Sequence, residues 1–436
     1  MSNNSGVDLW NRAKEIIPGG NMLLSKRPEM FLPDQWPSYY EKAKGCEVWD
    51  LDGNRYIDMS IMGIGTNILG YAHDEVDESV LRSVKKGNMS TLNCPEEVQL
   101  AERLLELHPW ADMVRFARSG GEANAISIRI ARAAVGKDKV AFCGYHGWHD
   151  WYLSANIGDK ENLAGQLLPG LEPNGVPLNL KDTAFPFEYN DIDGLTALLD
   201  SHDIGVIKME VVRNFGPEDD FLVKVRSLAT ERGIVLIFDE CTSGFRQTFG
   251  GIHKHFEVDP DIAMFGKALG NGYAITAIIG RRDVMEAAQN SFISSTFWTE
   301  RIGPTAALKT LEVMQREKSW ELITQTGGQV KQRWENLADK YNLKIKQWGL
   351  NALAGFSFES RDAMKYKTLI TQEMLAKGFL ATNSFYASIA HTKDHIDEYF
   401  YHLDVIFKII TECENGRNID SLLKGPTCHG GFKRLN

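Results

Sequence analysis

Between about residues 95 and 300, the chain alternates helical patterns with short, uninterrupted apolar runs. Short runs without polar alternation are typical of strands that are buried on both faces of a sheet. Because strands that alternate with helices form βαβ units, we expect a mostly parallel central sheet with helices on both faces, the α/β class. The apolar runs are Met113 to Phe116, Lys139 to Phe142, Gly205 to Val212, Ile234 to Phe238, Ile262 to Phe265 and Ala274 to Ile279.

The segments on either side of this region carry different patterns. Residues 7–17 have apolar side chains at helical spacing, and Asp52-Gly53 interrupts an alternating stretch as a hairpin turn does. A long helical stretch from Pro304 to Tyr341 leads into further strand-like runs. The expected organisation is an N-terminal helix and hairpin segment that is part of a small domain (residues 1–60), a large α/β domain (61–304) and a C-terminal small α+β domain (305–436).

Composition narrows the range of partners. The 436 residues include 58 Asp and Glu against 48 Lys and Arg, so the formal net charge of -10 gives no reason to expect a nucleic acid or an anionic membrane as partner. The six cysteines show no C-x-x-C spacing, which predicts reduced thiols and no metal site. Residues 1–10 carry no secretory pattern, and no apolar stretch approaches the length of a membrane span, so a cytoplasmic location is expected.

A carboxylate and a lysine lie at the ends of two neighbouring apolar runs. Asp239 follows the run that begins at Ile234, and ligands of open α/β sheets bind at this edge. Taken singly, such an Asp more often caps a helix, and a lysine is more often solvated. A buried carboxylate requires a cationic partner, however, and a protonated pyridine nitrogen would serve. Lys267, next to Gly266, has an amine with open access to a carbonyl, as Schiff-base chemistry requires. The pair suggests pyridoxal phosphate (PLP).

Two loops after other strand-like runs carry small or aromatic residues. Arg118-Ser119-Gly120-Gly121-Glu122-Ala123 opens a predicted helix, and backbone N–H groups at such a turn bind phosphate, although an ordinary capped turn has the same pattern. Tyr145-His146-Gly147-Trp148-His149-Asp150-Trp151 concentrates flat rings at a second strand end. Tyr145 is the better candidate to stack on a planar cofactor, whereas Trp148 and Trp151 suit packing and stacking equally.

These loops, followed by Asp239-Glu240-Cys241-Thr242-Ser243-Gly244-Phe245-Arg246 and Gly266-Lys267, resemble in their order the motifs of class III PLP-dependent aminotransferases. Within that class the chain is most similar to the glutamate-1-semialdehyde 2,1-aminomutase group, because of Ile16-Ile17-Pro18-Gly19-Gly20, the Trp49 to Gly53 hairpin and Ser388-Ile389-Ala390-His391-Thr392. The resemblance therefore covers nearly the full length. It implies PLP fold type I, the aspartate-aminotransferase-like fold with a seven-stranded central sheet, and a homodimer with its active site at the subunit interface.

The resemblance also implies a role for each matching residue. Lys267 would form the Schiff base with PLP, and Asp239 would pair with the pyridine nitrogen. Ser119, Gly120 and Gly121 would bind the phosphate. The other implied cofactor contacts are Tyr145 and Cys241 on the two faces of the ring, Asn214 at the phenolic oxygen and Thr296 reaching the phosphate of the neighbouring subunit.

Several positions depart from the family pattern. Gly121 stands where the family commonly has Thr, which removes one hydroxyl group from the phosphate site. Leu23 and Lys26 stand near the Ser and Arg that bind the substrate carboxylate in the mutases, and a lysine does not reproduce a bidentate guanidinium. Asn383 replaces an expected Glu. The changes at positions 23, 26 and 383 fall on substrate positions, which argues for a different substrate.

The favoured hypothesis is an aminotransferase with ping-pong chemistry. Its donor would be an amino acid, for which the family resemblance implies glutamate, and its acceptor an aldehyde or ketone, for which a polar and aromatic site suggests a sugar-like compound. One alternative is an intramolecular aminomutase, and another is a non-catalytic PLP-fold binding or regulatory protein. A nucleotide-binding oxidoreductase is disfavoured because no G-x-G-x-x-G follows the first strand of a βαβ unit. The candidate substrate-binding residues are Lys26, Arg27, Trp148, His149, Trp151 and Asn383.

Overall fold

The computed structural model describes residues 4–167, 169–212 and 214–431. The chain divides into two compact units, one formed by Asp74–Glu321 and the other by Met1–His73 with Leu322–Asn436. The predicted boundary at residue 304 would fall inside the helix Ile302–Glu317. The three-part division into residues 1–60, 61–304 and 305–436 stays a prediction.

Strands and helices alternate along most of the chain. The strands are β1 (Tyr40–Lys44), β2 (Glu47–Asp50), β3 (Arg55–Met59), β4 (Met113–Ala117), β5 (Lys139–Cys143), β6 (Ala184–Pro186), β7 (Ile204–Glu210), β8 (Val235–Glu240), β9 (Ile262–Phe265), β10 (Thr276–Gly280), β11 (Ile345–Trp348), β12 (Leu353–Phe358), β13 (Phe379–Ala381) and β14 (Ser384–Tyr386). The helices are α1 (Ser5–Ile16), α2 (Met62–Gly65), α3 (Asp74–Lys86), α4 (Pro95–Leu107), α5 (Gly120–Val135), α6 (Asp150–Leu153), α7 (Ala155–Gly158), α8 (Ile192–Ser201), α9 (Phe221–Glu231), α10 (Arg282–Met285), α11 (Ile302–Glu317), α12 (Ser319–Lys340), α13 (Ala363–Leu375) and α14 (Lys393–Glu414).

A seven-stranded sheet forms the centre of the unit Asp74–Glu321. Its order is β4-β10-β9-β8-β7-β5-β6, and β10 is antiparallel to both of its neighbours while the other pairs are parallel. Every residue of β7, β8, β9 and β10 is buried, because both faces of the sheet are covered. The predicted mostly parallel α/β sheet is confirmed, and the carboxyl ends of β5, β7, β8 and β9 meet at one edge.

The unit that contains both chain termini has two smaller sheets. The order of the first is β1-β2-β3-β13, with the predicted hairpin between β2 and β3, and β13 joins β3 in parallel. The second has the order β11-β12-β14. This parallel pair ties the N-terminal segment to the C-terminal region within one unit.

The predicted helical stretch from Pro304 to Tyr341 is present as two helices, because Lys318 has a left-handed backbone (φ 49°) that ends α11 before α12 begins. All six cysteines are free thiols, as their spacing predicts. None of the helices within the described residues has the length and apolar character that a bilayer crossing requires.

Candidate active site

Asp239 lies at the carboxyl end of β8 and is buried. Its Oδ1 accepts a hydrogen bond from the backbone N–H of Cys241 at 3.0 Å, and its Oδ2 is 2.8 Å from Nδ1 of His146. Nε2 of His146 faces the carbonyl of Cys143 at 3.1 Å. Because both neighbours of this imidazole are acceptors, the geometry favours a doubly protonated ring, although burial lowers the pKa of His146.

A second buried cation lies behind Asp239. Lys208, in the middle of β7, is fully buried, and its Nζ donates to Oγ of Ser127 and Sδ of Met264, both at 3.0 Å. Met264 on β9 is paired with Asp239 on β8, and Glu210 on β7 is paired with Asp239 as well. Residues paired across neighbouring strands lie on the same face of a sheet, and Lys208 shares that face because it is two residues before Glu210 on β7. The Lys208 side chain therefore crosses β8 on the face that carries Asp239.

The charge of Asp239 follows from these neighbours. Burial alone would raise its pKa, but the hydrogen bond with His146 and the charge of Lys208 outweigh burial and hold the pKa below its usual range. Burial in turn lowers the pKa of Lys208 to about 8. The site therefore presents an ionised carboxylate at neutral pH, which is the group that a pyridinium nitrogen requires.

Lys267 lies two residues after the end of β9 and begins a short 3-10 helix. Its Nζ donates to Oγ1 of Thr242 at 2.6 Å, and burial lowers the pKa of the amine. The backbone of Lys267 is left-handed (φ 41°), a conformation that costs an L-residue roughly 1–2 kcal/mol. Strain of this kind is common where a side chain has to be held in one functional position.

The turn before α5 forms a cradle of backbone donors. Ser119 caps the helix, and Glu122 accepts from the backbone N–H groups of Arg118 and Ser119 at 3.0 and 2.8 Å. The N–H groups of Gly120 and Gly121 have no acceptor among the residues that the structure describes. A helix N-terminus with two free donors suits a phosphate.

Cys241 packs between this cradle and Lys267. A Cβ atom added at Gly120 would be 3.9 Å from Sγ of Cys241, and one at Gly266 would be 3.2 Å from it. Tyr145 follows β5, and its backbone N–H donates to Glu210 at 3.1 Å. The cradle, Cys241, Asp239 and Lys267 thus belong to one cluster, which fits a flat heterocycle that carries a phosphate and an aldehyde.

The remaining predicted cofactor contacts lie at the surface. Asn214 follows β7 and is exposed, and Thr296 is exposed at the start of a short 3-10 helix, Thr296–Thr299. Neither is joined to the cluster by a recorded contact between described residues. Their roles at the phenolic oxygen and in a neighbouring subunit stay predictions.

The substrate candidates are divided between the two units. Trp148 and His149 lie in the unit that contains Lys267, and their rings stack at 4.4 Å. Lys26, Arg27 and Asn383 lie in the other unit. There Lys26 is exposed, the Arg27 guanidinium packs over Gly19, and the Asn383 amide donates to the carbonyl of Phe356 at 2.7 Å.

Trp151 does not have the place that a pocket residue would have. It is buried in the core of the α/β unit and lies against His146, with ring centroids 6.2 Å apart. Packing was one of the two interpretations for this residue, and the structure favours it. Trp151 thus supports the imidazole that contacts Asp239.

Glu240, next to Asp239, belongs to a separate buried network. His253 Nδ1 is 2.7 Å from Oε1 of Glu240, and its Nε2 accepts from the indole N–H of Trp110 at 3.0 Å. His108 Nε2 accepts from the N–H of Gly251 at 3.0 Å, which leaves Nδ1 to donate to the carbonyl of Leu104 at 2.9 Å. This network fixes the loop that follows β8.

We expect His108 to make stability depend on pH. Burial lowers its pKa from 6.5 to about 4. Between these values the unfolded chain binds the proton and the folded protein does not, so this contribution is complete above pH 6.5 and is lost as pH falls towards 4. When pH falls from 6.5 to 4, the decrease in the free energy of unfolding should be about 3 kcal/mol smaller in His108→Gln than in the unmodified protein. Unfolding in denaturant at the two pH values measures this difference. Equal losses in the two proteins would contradict the assignment.

Sequence reasoning missed three members of the site. Lys208 is a charged residue inside an otherwise apolar run, and a buried amine needs acceptors, so its position was an available signal. His146 was part of the aromatic loop but was not assigned to Asp239. Thr242 follows Asp239-Glu240-Cys241, and nothing in the sequence indicated that its hydroxyl group would accept from Lys267.

Comparisons with known proteins agree with this geometry. A family model described as "Aminotransferase class-III" matches residues 33–406. The 3-aminobutyryl-CoA aminotransferase of Cloacimonas acidaminovorans (strain Evry) is 34% identical over 376 residues, which are 84% of this chain and 86% of that protein. The glutamate-1-semialdehyde 2,1-aminomutase of Sulfurisphaera tokodaii is 29% identical over 425 residues, 93% of this chain and 99% of that protein.

A solved structure has the same fold. The FumI protein of Sphingopyxis sp. MTA144, in its PLP internal aldimine form, superposes with a TM-score of 0.85 at 24% sequence identity. The match covers 97% of this chain and 100% of that chain. At this identity the likeness concerns the fold, which is that of fold type I as expected.

Proposed function

Because this chain belongs to the class III aminotransferase family, we propose that it is a PLP-dependent enzyme that moves an amino group from an amino-acid donor to a separate aldehyde or ketone acceptor. The proposal rests on one observation, which is that the Lys267 amine and an ionised Asp239 both lie at the same edge of the central sheet. We further propose that Ser119, Gly120 and Gly121 bind the phosphate group of the cofactor.

When bound, PLP draws electrons from the substrate carbon that bears the amino group and so makes its proton labile. Asp239 would hold a proton on the pyridine nitrogen, because its carboxylate stays ionised beside His146 and Lys208. Lys267 would hold the cofactor through its Nζ, and the same amine would serve as the base that moves the proton at the substrate carbon. The depressed pKa of the amine favours the neutral form that this base needs.

We favour transfer between two molecules over the mutase alternative. The positions at which the mutases bind the substrate carboxylate are changed here to Leu23 and Lys26, and Asn383 replaces a glutamate. The relative at 34% identity carries the name of an intermolecular aminotransferase. A non-catalytic binding protein is less consistent with Lys267. Its backbone is strained, and burial lowers the pKa of its amine, as suits a residue that transfers protons.

The acceptor is proposed to be hydroxylated and sugar-like, in keeping with the polar and aromatic loop that carries Trp148. The test loads the protein with pyridoxamine phosphate and follows the return of the PLP absorbance with keto-sugars, small apolar ketones and 2-oxo acids. 3-Aminobutyryl-CoA, the amine in the name of the first relative, belongs among the donors. Amination of small apolar ketones alone would reject the sugar-like acceptor, and turnover of a single amino-aldehyde without any acceptor would favour the mutase.

We also propose that two copies of the chain form a dimer. Phe292, Phe297 and Leu92 are 86%, 70% and 81% exposed, and such apolar side chains suit burial against a second copy. Thr296 lies beside Phe297, where it is proposed to reach the partner's phosphate site. Sedimentation should give the mass of a dimer, and a fully active monomer would contradict this arrangement. The family and the charge pattern are in keeping with a cytoplasmic enzyme.

A further inference from the structure

Gly121 is in direct contact with the aromatic loop after β5. A Cβ atom at this position would be 2.9 Å from Nδ1 and Cε1 of His149 and 3.2 Å from Nε1 of Trp148. The Cα of Gly121 itself would be 3.0 Å from a Cβ atom at Gly147, so two glycines allow the loop to approach the start of α5. The space that a larger residue at position 121 would fill is taken by the imidazole of His149.

The nitrogen that points into this space has no partner. Nδ1 of His149 is buried and makes no hydrogen bond with any described residue. A buried polar atom without a partner costs free energy, which a ligand that accepts its hydrogen bond would recover. The ring is held in place by stacking on Trp148, with centroids 4.4 Å and planes 29° apart.

We propose that His149 binds the phosphate group of the cofactor and takes the place of the hydroxyl group that a threonine at position 121 would supply. The inference rests on the proposed function and deepens it, because it assigns His149 to the cofactor rather than to the substrate. The Nδ1–H group of His149 then joins the free backbone N–H groups of Gly120 and Gly121 as a third donor.

The carboxylate of Glu122 does not interfere with this site. Glu122 accepts from the backbone of Arg118 and Ser119 and from the indole N–H of Trp298 at 3.1 Å, so its charge is directed to groups other than the phosphate. Trp148, whose Nε1 is also close to Gly121, orients the imidazole by stacking and is mostly exposed.

The first experiment compares PLP with pyridoxal, which lacks the phosphate. Equilibrium dialysis should show that His149→Phe, which keeps a flat ring on Trp148 but cannot donate, weakens PLP binding by about tenfold to 100-fold, while pyridoxal binding changes less than twofold. His255→Phe, at an exposed histidine of the same unit, is the control and should change neither. An unchanged preference for PLP over pyridoxal in His149→Phe would overturn the inference.

The second experiment uses the steric relation between the two positions. Gly121→Thr alone should lose affinity for PLP, because its side chain needs the space of the imidazole, whereas His149→Ala with Gly121→Thr should regain most of the preference for PLP. A double variant no better than His149→Ala would contradict a shared role. If the unmodified protein binds neither PLP nor pyridoxal, the proposed function is contradicted. If it binds both but the variants do not show the changes expected here, only the role of His149 is contradicted.

Discussion

Replacing Lys267 by alanine is expected to lower the rate of amino transfer by at least about 1000-fold, because Nζ is both the attachment point of the cofactor and the base that moves the substrate proton. The amine lies 2.6 Å from Oγ1 of Thr242, within the cluster that also contains Asp239 and Cys241. Turnover of donor amine, measured by formation of the oxo product, checks this expectation.

Two controls separate this loss from a folding defect. Lys224→Ala removes an exposed lysine of the same unit and should leave the rate unchanged. Lys267→Ala should still bind PLP through the phosphate cradle and should unfold at a denaturant concentration close to that of the unmodified protein. A Lys267→Ala enzyme that keeps a tenth of its rate would contradict the role of this residue.

Replacing Asp239 by asparagine should have a comparable effect on rate and a large effect on stability. Without the carboxylate, nothing keeps the pyridine nitrogen protonated, and we expect about 1000-fold slower transfer, within the range seen for a single acid or base. The cation Lys208 would also lose its compensating charge, which should lower the free energy of unfolding of the cofactor-free protein by about 3 kcal/mol.

A double variant distinguishes these two roles of Asp239. Lys208→Met keeps the length of the side chain and removes its charge, so Asp239→Asn with Lys208→Met should be more stable than Asp239→Asn alone but equally slow. Unfolding in urea and steady-state rates measure the two effects separately. A double variant that is no more stable than the single variant would show that Lys208 is not the charge partner of Asp239.

The strand ends were the most predictable part of the protein. Apolar runs bounded by charged or small residues define β4, β5 and β7 to β10 closely, so the positions of Asp239 and Lys267 at one edge follow from the parallel order of the sheet. The short strands β6, β13 and β14 were not predicted, because strands of three residues carry too little pattern to be read without their partners. The helical stretch from Pro304 was predicted without its break at Lys318, because a lysine in a left-handed conformation has no sequence signal.

The parts of the site that the sequence did not predict depend on contacts between residues that are far apart in the chain. The sequence placed His149 in an aromatic loop and noted the missing hydroxyl group at Gly121, but only the fold brings the two together. In the same way, Trp151 packs on His146 because α6 turns its side chain into the core, which neither residue alone indicates. In the sequence, Lys208 is a charged residue that interrupts an apolar strand. Only the fold shows that Ser127 and Met264 accept hydrogen bonds from its amine.

The most direct test of the central claim is to incubate the protein with PLP, reduce it with borohydride and map the modified peptide by mass spectrometry. Reduction fixes the cofactor to the lysine that carries it. We predict one phosphopyridoxyl group per chain, on Lys267. A label on another lysine such as Lys208, or no label on a protein that is still active, would contradict the account.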